Sequence, residues 1–383
     1  MKTEPILFLV TLDTKILEAE YLRQAIENYG FDVRYIDISL DQDSSALHGH
    51  DKIDLMNRVA EKCYPEVCEL IEKGSRLVMG MGGGTGSQII LKIFKKLPLN
   101  FPKLLITTLP FDPRNAVADN SIVLIPTPFD IQGLNPLLDE TFERVAALTY
   151  GILSGKRANE KREEKKNIAI SALGVTNKGV IEIQNRLAGS DYNTIIFHSN
   201  GYGGAALVRA VDEEIIHGLI DFTPHELTRM RLAGAHVDMP RRFTAAVDKS
   251  LPMIVVPGGL NFIGLGAYEE LGQDYKRRPV FRHSEMFTHV AVLPEEMVSQ
   301  TEYLMKCLSN APSEIQILVP MQGFSNTDRE GQELCSPELR QIFVNTARKF
   351  AEPNIRITEF PEFHIEDAGF AEICCEALLE KLH

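Results

Sequence analysis

At 383 residues, 44% of them hydrophobic, the chain exceeds what one hydrophobic core usually supports and carries material for two. A formal charge of −13 repels a phosphate backbone, and no lysine-arginine stripe offsets it locally, which argues against DNA or RNA as a partner. The longest apolar runs, such as Ile6 to Val10, fall far short of the ~20 residues of a membrane helix, so no membrane role is expected.

So short a run behind Lys2 and Glu4 does not make a secretory signal, and a cytoplasmic protein is expected. The six cysteines show no paired C-x-x-C spacing and are expected as reduced thiols. Cys63 and Cys68 share an apolar stretch with Val59, Val67 and Ile71, which suits a core better than a metal, and no protein-bound metal is expected.

In chain order, the first half alternates β-rich runs with amphipathic stretches, the pattern of a mostly parallel sheet covered by helices. Strands are predicted at 6–10, 33–38, 77–79, 104–107 and 122–125. Between the first two, Leu17, Tyr21, Leu22, Ala25, Ile26 and Tyr29 recur at helical spacing, with Gly30 as the stop. Further helices are predicted over 55–71, 89–97 and 137–152.

A mixed-sign charged linker at 156–166 separates domain 1–155 from domain 167–383. After it the pattern restarts with a strand at 168–173, a helix through Ile181 and Leu187, and a strand at 194–198. More strands are predicted at 218–222, 253–256, 289–293, 315–319 and 355–360, and a helix at 370–382. The fold class is α/β, as two doubly wound, mostly parallel-sheet (Rossmann-like) domains.

In such sheets ligands settle where strands end, so the loops after strands are the place to look for function. The strongest is Gly82-Gly83-Gly84-Thr85-Gly86-Ser87, which with Gly80 puts five glycines between an apolar strand and an amphipathic helix. Glycines let the backbone approach an anion, and the helix start offers free N–H groups and the positive end of a dipole. A tight strand-to-helix turn alone needs about two glycines. The lysine of a P-loop and the spacing of a dinucleotide motif are both missing.

Thr11-Leu12-Asp13-Thr14-Lys15 follows the first strand, and Lys15 in a first helical turn is unfavourable unless an anion lies nearby. Loops 107–110 and 126–135 could wall a base and ribose, with Asp130, Gln132 and Asn135 as polar fixers. In the second domain His198 precedes another glycine turn, Gly201-Tyr202-Gly203-Gly204. Other strand-end groups are Asp221 with Thr223 and Glu226, Asn261, Ser325, and His364 with Glu366 and Asp367. His198, His364 and Asp367 are the candidates for acid–base work.

One loop, GGGTGS, looks like the signature loop of the tubulin-type GTPases, but no other loop follows that family. A broader resemblance spans nearly the whole chain: T-x-D-T-K-x-x-E after the first strand, the glycine turn, D-I-x-G-L-N, G-V-T after the linker, F-H-x-x-G-x-G-G and a closing H-I-x-D-x-x-F-A. In these the chain resembles the Tm-1-like ATP-binding family, typified by the inhibitory domain of a tomato mosaic virus resistance protein.

That resemblance implies ATP in the N-terminal domain, Mg2+ on its phosphates and a homodimer. Carried over, the nucleotide residues are Thr11, Asp13, Thr14 and Lys15 with Gly82, Gly83, Gly84, Thr85, Gly86 and Ser87. The chain departs from the family at Gly82-Gly83-Gly84, richer in glycine than usual, and at Glu366, where many relatives carry asparagine. Two functional readings follow. One is an enzyme that uses ATP on a small acidic substrate in the interdomain cleft; the other is a nucleotide-gated, non-catalytic protein-binding module.

Overall fold

The computed structural model describes residues 5–40, 49–155 and 165–382. The chain divides into two compact units, residues 1–161 and 162–383. Most of the predicted charged linker lies outside the described residues. Of its last two positions, Lys166 opens a strand of the second unit and Lys165 donates to the Ser190 carbonyl at 2.6 Å.

The first unit runs β1 (Ile6–Val10), α1 (Leu12–Glu27), β2 (Val33–Asp37), α2 (His50–Glu72), β3 (Val78–Gly82), α3 (Gly84–Phe94), β4 (Lys103–Thr107), α4 (Pro113–Val117), β5 (Ile122–Pro126) and α5 (Pro136–Ser154). Its five strands are all parallel, in the order β2-β1-β3-β4-β5. The central strands β1, β3 and β4 are buried throughout, as continuous apolar runs covered on both faces must be.

Alternation along β1 assigns the faces. Ile6, Phe8 and Val10 pack with Leu22 and Ile26 of α1 and Phe142 and Val145 of α5. Leu7 and Leu9 pack on the other side with Val67 of α2 and Ile89, Ile90 and Ile93 of α3. Cys63 belongs to that second core, and all six cysteines are free thiols.

The second unit runs β6 (Lys166–Ala172), α6 (Asn177–Leu187), β7 (Tyr192–His198), α7 (Gly203–Asp212), β8 (Gly218–Asp221), α8 (Glu226–Arg231), α9 (Ala245–Asp248), β9 (Met253–Val255), β10 (Phe262–Leu265), α10 (Gln273–Lys276), β11 (Val280–Arg282), β12 (Thr288–Ala291), α11 (Pro294–Leu308), β13 (Ile315–Pro320), α12 (Pro337–Phe350), β14 (Ile355–Phe360) and α13 (Ala368–Leu382). Its main sheet is six-stranded and parallel, ordered β14-β13-β9-β8-β6-β7. Ile168 and Ile170 of β6 pack with Val180 and Ile183 of α6 and Phe370 and Cys374 of α13.

One predicted strand is placed differently from expectation. The 289–293 run forms β12, which belongs to a separate antiparallel sheet, β10-β12-β11, rather than to the parallel sheet. Both parallel sheets reverse direction next to their first strand, between β1 and β3 and between β6 and β8. That reversal opens a crevice at the carboxyl ends of the two strands.

Candidate functional site

In the first unit the register sets the strand ends side by side: Val10 pairs with Asp37 and with Met81, Gly82 with Thr107, and Thr107 with Pro126. The loop after β1 and the glycine turn after β3 therefore meet at the reversal point, and a methyl group on Gly86 would come within 3.8 Å of Thr11 Cγ2.

The two helix starts at this edge differ. At α1 the amides are already engaged: Leu12 N–H donates to Asp37 Oδ1 (3.2 Å) and Asp13 N–H to Ser39 Oγ (3.1 Å). Thr14 Oγ1 lies 3.1 Å from Thr11 Oγ1. Lys15 interrupts the helical backbone, with φ −127° and ψ 19°, and makes no ion pair among the described residues. At α3 the start is Gly83, and no side chain of the described residues caps it. The leading amides of that helix have no intrahelical acceptor.

The five glycines separate into two kinds. A Cβ on Gly80 would lie 2.5 Å from Ile90, and one on Gly82 would lie 2.9 Å from the Ser87 nitrogen, so packing demands both. On Gly83, Gly84 and Gly86 the nearest atoms would be 3.8–3.9 Å away, ordinary contact, and none has positive φ. The fold can do without these three glycines.

Ser87 is fully buried; its hydroxyl donates to Gly82 O at 2.8 Å and lies 2.8 Å from Thr107 Oγ1, which ties the turn to β4. Thr107 also accepts from Leu109 N–H, and Leu109 holds a left-handed φ of 54° that side chains seldom adopt.

Around β5, a cavity of about 340 Å³ is lined by Pro126, Pro128 and Phe129 of the predicted base-walling loop with Arg144 and Leu148 of α5. Asp130 and Gln132 are exposed and do not line it. Asn135 caps α5, accepting from Leu138 N–H at 3.1 Å, and buried Glu18 accepts from Gly133 N–H at 2.5 Å.

The glycine turn of the second unit has a different reason for its glycines. Gly201 has φ +95°, a methyl group on Gly203 would meet His198 O at 2.3 Å, and one on Gly204 would meet Glu226 at 2.6 Å. Its amides are engaged as well: Tyr202 N–H donates to Asn200 Oδ1 (3.1 Å) and Gly204 N–H to Glu226 Oε1 (2.7 Å). Glu226 Oε2 accepts from Arg242 Nε (2.6 Å), and Arg242 forks onto both oxygens of Asp221 (2.8 and 2.9 Å). The anion on this turn is the protein's own carboxylate.

His364 is fully buried and both ring nitrogens are engaged, Nε2–H donating to Ser325 O (2.9 Å) and Nδ1 accepting from Glu366 N–H (3.1 Å). Asp367 accepts from His364 N–H (2.7 Å) and from Arg329 (3.1 Å). His198 ends β7, at the edge of the sheet opposite β14, and lines a cavity to which neither His364 nor Asp367 contributes. The structure thus does not gather the three predicted acid–base residues, and His364 and Asp367 fasten their own loop.

The cavity beside His198, about 260 Å³, brings together residues that the sequence reading passed over. Arg229 of α8, Phe262 of β10 and His289 of β12 line it with Asn200. Phe262 is stacked between His225 (4.4 Å) and His289 (4.1 Å), and His289 stacks on His283 (5.2 Å). His225 Nδ1–H donates to Gly259 O at 2.7 Å and leaves Nε2 without a partner among the described residues. Burial, then the Arg229 charge, pushes His225 down to about 3; burial, then His283, brings His289 to about 4. His198 is also lowered, by partial desolvation of its ring.

These values fix a pH response. His225, His289 and His364 titrate at about 3, 4 and 4 in the folded chain against an ordinary 6.5. The unfolded chain takes up these protons below 6.5 and the folded chain only near 4, so stability present above pH 6.5 is lost as pH falls towards 4. Asp328, raised to about 6 by burial, and Glu366, also raised by burial, act in the opposite sense and offset part of this loss. Urea unfolding of the second unit is expected to weaken by up to about 1.4 kcal/mol per pH unit for each uncompensated histidine. A flat profile from pH 6.5 to 4 would refute the assignment of neutral buried rings.

Comparison with known proteins agrees with the two-unit division. Residues 41–158 match the model "Uncharacterised protein family (UPF0261) N-terminal domain" and residues 165–382 its C-terminal domain. A UPF0261 protein of Clostridium tetani is 26% identical over 98% of both chains. A UPF0261 protein of Rhizobium meliloti is 29% identical, over 78% of this chain and 75% of that one. The ToMV resistance protein Tm-1 of Solanum lycopersicum is 25% identical over 79% of this chain, which spans only 41% of the tomato protein. The chain belongs to the UPF0261 family, which its two domain models cover from residue 41 to residue 382.

Proposed function

We propose that the first unit binds a nucleotide, ATP, with its phosphates on the glycine turn at the start of α3. The observation that carries this reading is the pairing of an uncapped helix start with three glycines, Gly83, Gly84 and Gly86, that packing does not require. Bare backbone at a helix N-terminus suits a phosphate, since N–H groups and the dipole both favour negative charge there. Lys15, without an ion pair among the described residues, adds a cation from the adjoining loop.

The apolar cavity beside Pro126, Pro128 and Phe129 is the seat proposed for the base, two strands away from β3. Magnesium carried on the phosphates would neutralise part of their charge, and exposed Asp13 is the carboxylate at this edge suited to hold it. The choice of adenine rests on the family resemblance. Calorimetric titration with MgATP and MgGTP tests both parts: ATP is expected to bind and GTP to bind more weakly. GTP binding tenfold tighter, about 1.4 kcal/mol, would replace the reading with a guanine-nucleotide one, and no binding of either would end it.

A further inference from the structure

The cavity beside His198 in the second unit is lined by Arg229, a cation with unusual surroundings. Arg229 is only 9% exposed; its Nη1 reaches the Ala235 carbonyl (3.1 Å), while Nε has no hydrogen-bond partner among the described residues. Burial lowers its pKa, a sign of a cation short of compensation. Glu226 is the nearby carboxylate, but its oxygens are held by Gly204 N–H and Arg242. Buried His289 Nδ1 also lacks a partner among the described residues. Buried polar groups are rarely left so, and both of these residues, Arg229 and His289, line one cavity.

The backbone nearby preserves this arrangement. A methyl group on Gly264 would stand 2.8 Å from Arg229 Nη2 and 3.3 Å from His225 Nε2, so glycine keeps room for the guanidinium. Apolar wall comes from Leu173 and Val175 in the loop after β6 and from Phe262, beside the rings of His198, His283 and His289. Buried His289, lowered to about 4, is neutral near pH 7, and Arg229 is the permanently charged side chain among the lining residues. One cation calls for one negative charge. The volume of about 260 Å³ lies below the range of drug-sized pockets, so the ligand is a small molecule, not a nucleotide.

We propose that this cavity binds a small monocarboxylic acid, its carboxylate on Arg229 and its apolar body against Phe262. A guanidinium presents paired N–H donors that match a carboxylate, and Asn200, which also lines the cavity, has its side-chain NH2 to donate while its Oδ1 accepts from Tyr202 N–H. A phosphate dianion would find too little charge, because the helix start nearest His198 is already taken by Glu226.

The test is 19F NMR on the full chain with fluorinated monocarboxylates ranging from trifluoropropanoate to 4-fluorophenylacetate and 4-fluorobenzoate. At least one is expected to bind saturably, with its neutral amide and inorganic phosphate both at least about tenfold weaker. Arg229→Met is expected to weaken binding at least about tenfold. Leu173→Trp, which fills the cavity from an apolar wall and leaves every polar group in place, should do the same. The proposal is overturned if no acid binds, if the amide or phosphate binds as well as the acid, or if either folded variant binds like the parent.

Discussion

Gly84→Val is expected to weaken ATP binding by about a hundredfold, or about 2.8 kcal/mol, while the first unit keeps its fold. A Cβ at this position would meet nothing closer than Pro110 Cγ at 3.9 Å, so the folded chain has room for the substitution. The added branches instead stand over the amides at the start of α3, where a phosphate must come to within hydrogen-bond distance of bare backbone. Gly82→Val supplies the contrast: its Cβ would press on the Ser87 nitrogen at 2.9 Å and on Gly86 backbone at 3.0 Å, and it should lower the melting temperature as well. Calorimetry and thermal unfolding on both variants separate the two effects. Gly84→Val binding ATP with the parent's affinity would remove the glycine turn from the site.

Arg242→Met is expected to destabilise the second unit by about 3–5 kcal/mol, the largest stability effect foreseen for a single side chain here. Arg242, Asp221 and Glu226 have side chains only 1%, 3% and 0% exposed, so each charge is compensated within the protein. Burial alone would lower the guanidinium's pKa; the carboxylates of Asp221 and Glu226 hold it above the usual value instead. Removing the cation leaves two carboxylates buried against each other. Adding Glu226→Gln to Arg242→Met should restore part of the loss, because the second change removes one of the stranded charges. Urea unfolding followed on the second unit measures both, and a loss under about 1 kcal/mol for the single variant would contradict the network.

The sequence is informative where a pattern is long and local. Five-residue apolar strands followed by helical spacing give the parallel sheets, and a concentration of glycines marks the turn after β3. β10 and β11 escape that kind of reading because, unlike the comparably short β9 with its unbroken apolar run, they are interrupted by Gly264 and end on Arg282 respectively. β12 is visible as a strand, but its antiparallel partners are fixed by pairing across the chain, which no local period records.

The same limit separates the two glycine turns. Both read as strand, glycines and helix, yet only the distances to Ile90 and Ser87 in one, and to His198 and Glu226 in the other, reveal which glycines packing demands. The His225, Phe262 and His289 stack joins α8's approach to two strands of a separate sheet. Nothing near any one of these residues in the chain signals the other two. His364 looked equally promising in sequence, and its engaged ring nitrogens appear only with the backbone of Ser325 and Glu366 in place.

Glu226 has a consequence for how the second unit meets its solution. A carboxylate covalently tied to the chain and bonded to Gly204 N–H at 2.7 Å competes as an intramolecular ligand. Its effective concentration at that amide is of at least the millimolar order typical of short tethers, and it rises further because Arg242 fixes its orientation. Free anions at cellular levels therefore meet a helix start that is saturated before they arrive. The start of α3 has no such tethered occupant among the described residues, and ambient anion concentration can act on it directly.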